Sequence, residues 1–317
     1  MNHQKTLRAS VQVLAKTSSW VRCDETRLED YLDEVARRDE QVSHDPTLSD
    51  VGDAETRIAF VLLRDATNFG SGWHPCLKKR PGLSGARTTG TALAEYVQMH
   101  GAPDPGWLRT VTASDCAAVF GQSMTPPVDA LMLHFAEAWR QLGAVLLERF
   151  NGRYGDLVAA ANGSAVDLTT IFAGIGYFED VYKSAGLTLP FLKRAQLACY
   201  DLSLSLPNDP RCQFFDLDQL TIFADNLVPH VLKVDNVLIF DPALNARIEA
   251  GELIEPGSPE EIEIRALAVY ATERIAQLSA RRGDPVMPLR LSDWLWNRGQ
   301  GPAYKQRPRH RTRTVHY

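Results

Sequence analysis

The first residue whose surroundings suggest chemistry is an acid in an apolar stretch. Asp225 lies within the run LTIFADNLVPHVL, which gives it apolar neighbours on both sides. A carboxylate in such a place can cap a helix, form a structural ion pair, or act as a working group whose pKa is adjusted by its surroundings. The sequence by itself leaves these three alternatives open.

Two adjacent cations form a second candidate. Lys193 and Arg194 open the run KRAQLACYDLSL, and as neighbours they face different sides of the helix that this run predicts. The preceding Phe191 and Leu192 indicate that much of this helix is buried. Because a cation at a buried surface requires compensation of its charge, we expect an anionic partner there.

Signatures of several other chemistries are missing from the sequence. It contains no GxxxxGK[ST], HExxH or GxSxG motif, and NFGSG at 68–72 lacks the frame of a dinucleotide site. The five cysteines form no CxxC pair or Cys/His cluster, which predicts no metal site and favours a reducing compartment. The basic cluster at 78–80 is more typical of a solvated loop, and His44 of a surface turn.

The elements that must position these residues are predicted to be mainly α-helical, because apolar residues recur at steps of three and four. Pro229 requires the helical pattern of 217–233 to stop, kink or restart. The segment 236–240 could be a short strand, and the many Gly and Pro residues of 70–90 predict loops. The other predicted helices cover residues 26–38, 54–66, 91–100, 114–121, 127–150, 154–161, 166–173, 177–185, 190–205, 242–250, 259–281 and 289–297.

Length and composition are those of an ordinary globular protein. The 317 residues are 44% hydrophobic and 23% charged, which excludes a disordered chain or a rod. The formal net charge of −5 disfavours duplex nucleic acid or an anionic membrane as the main partner. No apolar run approaches the roughly 18 residues of a membrane span or suggests a signal peptide, so we expect a soluble cytoplasmic protein.

The last fourteen residues, YKQRPRHRTRTVHY, carry five cations and no acid. A basic tail of this composition is often solvated. Its ending in Thr-Val-His-Tyr favours docking instead, since β-branched and aromatic residues have little reason to end a solvated tail. Composition leaves both alternatives open.

Several runs, taken together, resemble the queuosine salvage family, the queuosine 5′-phosphate N-glycosylase/hydrolases. They are RDATNF at 64–69, LGAVLLERFNG, FLKRAQLACYD, LDQLTIFADNLVPHVL, EIEIRALAVYATE, LSDWLW and the short basic ending in Tyr. The similarity covers nearly the whole chain in the same order. It departs from the family pattern at 70–76, where GSGWHPC replaces a compact Phe-Trp ending, and at His230, where the family often has Gln.

The resemblance implies a reaction and a fold. The family hydrolyses the bond between ribose 5-phosphate and queuine, a 7-deazaguanine base with an aminocyclopentenediol arm, and needs no cofactor. Its largely helical fold is similar to that of the helix-hairpin-helix DNA glycosylases. Asp225 occupies the position of the family's Phe-Ala-Asp carboxylate, and Lys193 that of the Lys in its Lys-Arg-Ala-Gln run. We therefore expect Asp225 to be catalytic and Lys193 to approach the sugar or the phosphate.

The same resemblance suggests which residues bind the substrate. Asn68 and Phe69 would hydrogen-bond to and stack on the flat base, with Trp73 or Trp296 as a second aromatic wall. Asp65 and Asp293 are candidates for the cationic arm, although a surface helix position and a helix N-terminal turn explain them equally well. The remaining predicted contacts, mostly to the 5′-phosphate, are Arg194, His44, Phe223, His316 and Tyr317.

Two other functions remain open at this point. One is a glycosidase of another modified or ordinary nucleoside or nucleotide, and the other is a noncatalytic nucleic-acid-binding module on a glycosylase-like scaffold. The negative charge prepares the chain poorly for the second. Because the motifs are expected to converge on one pocket, we predict a single helical domain over residues 1–317. No extended apolar stripe demands a dimer, so a monomer is expected.

Overall fold

The computed structural model describes residues 2–37 and 51–317, which are mainly α-helical. Four short strands accompany the helices: β1 (Val21–Cys23), β2 (Val181–Ser184), β3 (Leu187–Pro190) and β4 (Leu238–Phe240). The helices are α1 (His3–Leu14), α2 (Glu25–Ala36), α3 (Ala54–Ala66), α4 (Gly85–His100), α5 (Pro105–Leu108), α6 (Ala113–Phe120), α7 (Val128–Arg149), α8 (Tyr154–Ala159), α9 (Ala165–Ala173), α10 (Lys193–Ser205), α11 (Val228–Val234), α12 (Pro242–Glu249), α13 (Pro259–Arg281), α14 (Pro288–Arg298) and α15 (Pro302–Lys305).

The chain divides into two compact units, each assembled from three separated stretches. One unit, called the first here, comprises Met1–Ser43, Val181–Lys193 and Asp218–Arg313. The second unit comprises the rest. Its stretches are His44–Asp180, Arg194–Leu217 and Thr314–Tyr317. The expectation of one domain over 1–317 stays a prediction.

The core of the first unit is built around α13, which is buried along most of its length. This helix packs against α1, α2, α11 and β1. Its buried residues include Ile264, Leu267 and Val269, which lie on different faces of the helix. A helix that is apolar on several faces belongs in the centre of a core, and α13 therefore serves as the support for the shorter elements around it.

Both two-stranded sheets lie in the first unit. β1 and β4 pair antiparallel, with Val21 opposite Phe240, which confirms the short strand predicted at 236–240. β2 and β3 form a hairpin, so the helix predicted over 177–185 is wrong. The hairpin turn consists of Ala185 and Gly186, which both have positive φ, at 49° and 75°. Two such residues form the tight turn whose twist suits a hairpin, and this turn chemistry was overlooked in the sequence.

The second unit confirms several predicted helices. α3 spans the predicted 54–66, and its N-cap Asp53 accepts a hydrogen bond from the main chain of Thr56. Its buried stretch packs beside α7, where the Trp139 indole donates to the carbonyl oxygen of Leu63 at 3.0 Å. α4 begins at Gly85, earlier than the predicted 91, because Ser84 caps it.

All five cysteines are free thiols. Within the described ranges, no helix has both the length and the apolar character that crossing a bilayer requires.

One carboxylate in the first unit ties together several elements. Asp235, at the C-terminal end of α11, accepts hydrogen bonds from the hydroxyls of Tyr31 at 2.6 Å and Tyr304 at 2.7 Å. It also accepts from Nε of Arg298 at 2.9 Å, and Arg298 in turn contacts Glu34 at 2.6 Å. The Asp235 side chain is only 8% exposed. Its charge therefore holds α11 against α2, α14 and the segment around Tyr304.

Replacing Asp235 by Asn should destabilise the protein by about 2–4 kcal/mol, because the change weakens hydrogen bonds to a buried charge. Urea denaturation measures the free energy of unfolding. Asp33→Asn is the matched control, since the Asp33–Arg282 ion pair is exposed, and it should change stability by less than about 0.5 kcal/mol. Equal losses of unfolding free energy in the two variants would contradict the role of Asp235 in holding α11 against its neighbours.

Candidate functional site

The predicted site residues are distributed over both units. Those in the first unit are Lys193, Phe223, Asp225, Asp293 and Trp296. Those in the second unit are Asp65, Asn68, Phe69, Trp73, Arg194, His316 and Tyr317. His44 lies outside the described residues. Each group is described below within its own unit.

Asp225 lies in an irregular segment directly before α11. Its Oδ1 accepts hydrogen bonds from the main-chain N–H groups of Leu227 at 2.8 Å and Val228 at 3.0 Å. These two contacts stabilise the turn that leads into α11, whose N-cap residue is Leu227, so Asp225 binds the main chain before the helix and is not itself the cap. In the described part of the chain no hydrogen bond reaches Oδ2. Asp225 is half-buried, whereas Ala224 and Asn226 beside it are buried, and one of its carboxylate oxygens is committed to the backbone.

The break at Pro229 explains why this segment is not helical. Residues 220–224 are extended or irregular, and α11 begins only at Val228 with the proline in its first turn. Proline is compatible with that position because its missing N–H would have no intrahelical partner there. Of the alternatives that the sequence left open at Pro229, which were a stop, a kink or a restart of the helical pattern, the structure shows a restart.

A fully buried arginine holds the main chain beside Asp225. Nε of Arg265, on α13, donates to the carbonyl oxygen of Ala224 at 2.8 Å. The guanidinium lies 3.6 Å from Glu261, one helical turn earlier, and 4.1 Å from the centre of the Phe191 ring. Arg265 and Glu261 are both 0% exposed. The i−4 spacing of the pair places both charges on one face of α13, and the link to Ala224 gives Arg265 a direct contact with the candidate segment.

Two more hydrogen bonds fix the same segment. The main-chain N–H of Phe223 donates to Oγ of Ser292 at 3.2 Å, and Nδ2 of Asn226 donates to the carbonyl oxygen of His310 at 3.3 Å. Ser292 lies on α14, directly before Asp293. The segment 223–226 is thus attached to α13, to α14 and to the chain near the C-terminal end of the first unit.

Asp293 and Trp296 both lie on α14. The carbonyl and Oδ1 of Asp293 accept hydrogen bonds from Nδ2 of Asn297 at 3.0 and 3.3 Å. Trp296 is partly buried and packs against the core of the unit. Because α14 begins at Pro288, Asp293 lies in the middle of the helix, and the alternative that placed it in an N-terminal turn is wrong. The predicted binding roles of Asp293 and Trp296 stay predictions.

Sequence reasoning missed two residues that act on this region. Desolvation lowers the pKa of the Arg309 guanidinium, and the negative charge of Asp225 acts in the opposite direction, so Arg309 belongs to the surroundings of the carboxylate. Burial, together with neighbouring cations, lowers the pKa of His310 to about 3 and keeps its imidazole neutral. Both residues are part of the basic run at 304–317, whose composition gave no indication of such contacts.

Lys193 follows a strained residue. Leu192 is buried and has φ +46°, in the left-handed region where the Cβ of a non-glycine residue is crowded. Such conformations persist only where the surroundings enforce them. Lys193 follows as the first residue of α10, and it is buried.

Arg194 is the corresponding buried arginine of the second unit. Its Nη1 donates to the carbonyl oxygens of Asp65 and Ala66, at the end of α3. The guanidinium lies 4.8 Å from the ring centre of Phe69 and 4.9 Å from that of Phe178. Burial lowers the pKa of Arg194 to about 10, and the charges of Asp180 and Asp65 oppose that shift. These contacts hold Arg194 within the unit, and its predicted contact with a phosphate stays a prediction.

An aromatic group surrounds Phe69 in the second unit. Phe69 makes an edge contact with Phe135, at 5.1 Å between ring centres, and lies 6.1 Å from Tyr177. Tyr177 shares a hydrogen bond of 2.9 Å with Nδ1 of His134, and His134 in turn is 5.9 Å from Trp73. His134 and Tyr177 were not predicted from the sequence, because each is distant from the 64–73 segment along the chain.

Polar groups lie at one end of this aromatic group. Nδ2 of Asn68 donates to Oδ1 of Asp65 at 3.2 Å, and Asp65 is 0% exposed, which excludes the surface-helix alternative for it. Ring faces beside an amide and a carboxylate have the chemistry that a flat heteroaromatic molecule requires.

The last residue in the sequence is docked. Tyr317 is buried, and its main-chain oxygen accepts hydrogen bonds from the N–H groups of Gly70 at 2.9 Å and Ser71 at 3.4 Å. Gly70 has φ +91°, which glycine adopts without strain and which turns its N–H toward Tyr317. Nδ1 of His316 lies 3.8 Å from Asp180. The docked alternative for the end of the basic tail is confirmed.

Among residues 2–37 and 51–317, no group of three or more His, Cys, Asp or Glu side chains is placed to hold a metal ion.

Comparisons with known proteins point to one family. A family model for queuosine salvage protein matches residues 49–317. A protein of Sphaerobacter thermophilus named queuosine 5′-phosphate N-glycosylase/hydrolase is 36% identical over 271 residues, covering 83% of this chain and 82% of that protein. Proteins of the same name from Dictyostelium discoideum and Bos taurus are 34% identical over 181 residues and 26% identical over 288 residues. They cover 56% and 84% of this chain, and 56% and 83% of their own lengths.

Removing the buried cation of the first unit should be costly. Arg265→Met removes the charge that is paired with Glu261 in the core, so we expect a loss of about 3–5 kcal/mol of unfolding free energy in urea denaturation. The double variant Glu261→Met with Arg265→Met should lose clearly less than the single variant, because both charges of the pair are then removed. A double variant as unstable as the single one would contradict a role for the ion pair.

The buried arginine of the second unit should not tolerate lysine. Arg194→Lys keeps the charge but loses the planar group that donates to the α3 carbonyls and lies between two rings, and we expect a loss of about 2–4 kcal/mol. Arg153→Lys, at a residue whose side chain is 67% exposed, is the matched control and should change stability by less than about 0.5 kcal/mol. Thermal and urea unfolding measure both, and similar stabilities would refute the structural role of Arg194.

Proposed function

Because the chain belongs to the queuosine salvage protein family, we propose that it hydrolyses the N-glycosidic bond of queuosine 5′-monophosphate. The products are queuine and ribose 5-phosphate. Support comes from the relatives named queuosine 5′-phosphate N-glycosylase/hydrolase. The match to the protein of Sphaerobacter thermophilus covers 83% of this chain and 82% of that protein. The observation that carries the chemistry is the divided hydrogen bonding of Asp225, in which Oδ1 accepts from two main-chain N–H groups and, among the described residues, none reaches Oδ2.

The reaction requires an anion in a defined place. Breaking an N-glycosidic bond develops positive charge on the sugar and negative charge on the departing base. A fixed carboxylate near C1′ stabilises the first charge, and it can accept a proton from the attacking water. A 7-deaza base has carbon where guanine has N7, so donors to its remaining heteroatoms, or a proton from solvent, must stabilise the leaving group.

Asp225 is our candidate for this carboxylate. Oδ1 is fixed by two main-chain N–H groups, so Oδ2 is held in place without being consumed by the fold. The segment itself is fixed by Arg265, Ser292 and the His310 carbonyl. Preorganisation of this kind avoids reorganisation as charge develops, which is the main source of electrostatic catalysis.

Lys193 is proposed to contribute a positive charge toward the sugar or the phosphate. Its support is its burial at the start of α10 and the strained Leu192 before it. The proposed contacts of Asn68, Phe69 and Trp73 with the base, and of Arg194 and Tyr317 with the phosphate, rest on the family resemblance and on the chemistry of these side chains.

Several broader features belong to the same proposal. We propose that residues 1–317 act as one queuosine salvage domain, since the family match takes in stretches of both units. The mainly helical chain is consistent with a fold like that of the helix-hairpin-helix DNA glycosylases. We further propose a cytoplasmic monomer without a stable nucleic acid complex, for which the free cysteines and the net charge of −5 provide support.

The central test is the reaction itself. Purified protein incubated with queuosine 5′-monophosphate should release queuine, detected by chromatography, without added metal or cofactor. Asp225→Asn should lower kcat by about 10²–10⁴-fold, because it removes the charge. The amide oxygen of asparagine can accept the same two main-chain hydrogen bonds, so the fold should be retained.

Asp241→Asn is the matched control for this substitution. Asp241 caps α12 in the same unit, where its Oδ1 accepts from the main chain of Ala243 and Leu244, and this variant should keep full activity. Full activity of Asp225→Asn would refute the role of Asp225 even if hydrolysis occurs. A panel with queuosine and guanosine monophosphate tests the substrate, since faster cleavage of either would overturn the proposed specificity.

A further inference from the structure

The first unit contains a cavity that the proposed reaction does not use. Its volume is about 300 Å³, and it lies beside the C-terminal half of α11. Asp225 precedes the opposite end of this seven-residue helix, which is about 10 Å long. The lining residues are His230, Lys233, Val234, Glu249, Arg307 and Pro308.

The charges around this cavity do not balance. In the part of the chain that the structure describes, neither Lys233 nor Arg307 has a carboxylate within 4.0 Å. Burial lowers the pKa of Lys233, and Arg307 lowers it further, while Glu249 opposes the shift. Two cations therefore face a single carboxylate, and Glu249 is exposed and hydrogen-bonded at 2.8 Å to Asn245.

His230 forms a buried wall of the cavity. It is 3% exposed, and its Nε2 donates to the carbonyl oxygen of Tyr304 at 3.0 Å. Nδ1 is buried and has no hydrogen-bond partner among residues 2–37 and 51–317. Burial lowers the pKa of His230, the hydrogen bond to Tyr304 opposes that shift, and the charges of Arg309, Lys233 and Arg307 add to it. The neighbouring cations thus disfavour protonation of the His230 imidazole.

We propose that this cavity binds a small oxyanion of the phosphate class. An anion between Lys233 and Arg307 would relieve their repulsion, and the planar guanidinium can donate two parallel hydrogen bonds to one phosphate group. The cavity has room for such an ion together with water. Free phosphate and the phosphate group of a sugar phosphate share this chemistry. Separate titrations with inorganic phosphate and with ribose 5-phosphate distinguish the two sources.

Calorimetric titration of the full chain, without nucleotide and at constant ionic strength, tests the proposal. Inorganic phosphate should bind saturably, and Lys233→Met or Arg307→Met should each weaken the dissociation constant about three- to tenfold. Lys305→Met is the matched control, because Lys305 is exposed in the same segment without lining the cavity, and should leave binding unchanged.

Glu249→Gln tests the sign of the electrostatic effect. It keeps the acceptor for Asn245 and removes the single lining carboxylate, so phosphate should bind about two- to fivefold more tightly. A merely structural role of these residues would not strengthen binding in this variant.

Parallel titrations with sulfate and ribose 5-phosphate identify the source of the anion. Similar affinity for all three assigns the cavity to oxyanions in general, and binding of phosphate with ribose 5-phosphate but not sulfate assigns it to phosphate groups. Saturating phosphate should also raise the pKa of His230 toward its ordinary value, which NMR measures. The reason is that the bound anion offsets the positive charges of Lys233, Arg307 and Arg309. The other groups nearby, Glu249 and the neutral His310, add no positive charge.

Three results would overturn the proposal: no saturable binding of phosphate, affinity unchanged in both cation variants, or weaker binding in Glu249→Gln. Hydrolysis of the nucleotide is measured separately with the same variants, so failure of the anion site and failure of the proposed function are distinguishable.

Discussion

A buried guanidinium must have its charge and its N–H groups satisfied, and the first unit is organised around that requirement. Arg265 lies in the centre of α13, where no water reaches it. Glu261 supplies the opposite charge, Phe191 supplies a ring face, and the carbonyl of Ala224 accepts from Nε. Because a carbonyl on the neighbouring segment is part of this compensation, that segment cannot move without exposing an unsatisfied buried cation, whose cost is several kcal/mol. The position of Asp225 is thereby coupled to the stability of the core.

The second unit uses the same physical solution. Arg194 lies between Phe69 and Phe178 and donates to the carbonyls that end α3. The last carbonyls of a helix have no intrahelical donors, so a guanidinium there meets an existing need and also the negative end of the helix dipole. An arginine suits both places better than a lysine, because a weakly hydrated planar group can stack on rings while its edge donates. In each unit a residue expected to contact the substrate thus lies beside a group that a buried arginine contacts. Asp225 follows Ala224, to which Arg265 donates, and Phe69 lies against Arg194.

Local features of the sequence predicted much of this organisation, and contacts between distant segments were the part it could not predict. The helix predicted over 54–66 depends on neighbouring residues and is confirmed, and so does the interruption of the helical pattern required by Pro229, which the structure shows as a restart. The link from Arg265 to Ala224 joins residues 41 apart in sequence, and no periodicity indicates it. The hairpin at β2 and β3 was missed because its turn lacks the Asn-Gly or Asp-Gly signal that usually marks one. The roles of Arg309 and His310 were hidden by their place in a run whose charge is typical of solvated tails.

Hydrogen bonding to the main chain does not explain why residue 225 is an acid. Asparagine can accept hydrogen bonds from the same two N–H groups, and a neutral side chain would spare the fold a charge placed between the buried residues Ala224 and Asn226. The segment nevertheless carries a carboxylate, with one oxygen bound to two N–H groups. It also lies close enough to the cation Arg309 to influence its pKa. The two main-chain contacts require only an acceptor, whereas glycosidic bond cleavage needs an anion whose position is fixed before positive charge develops on the sugar.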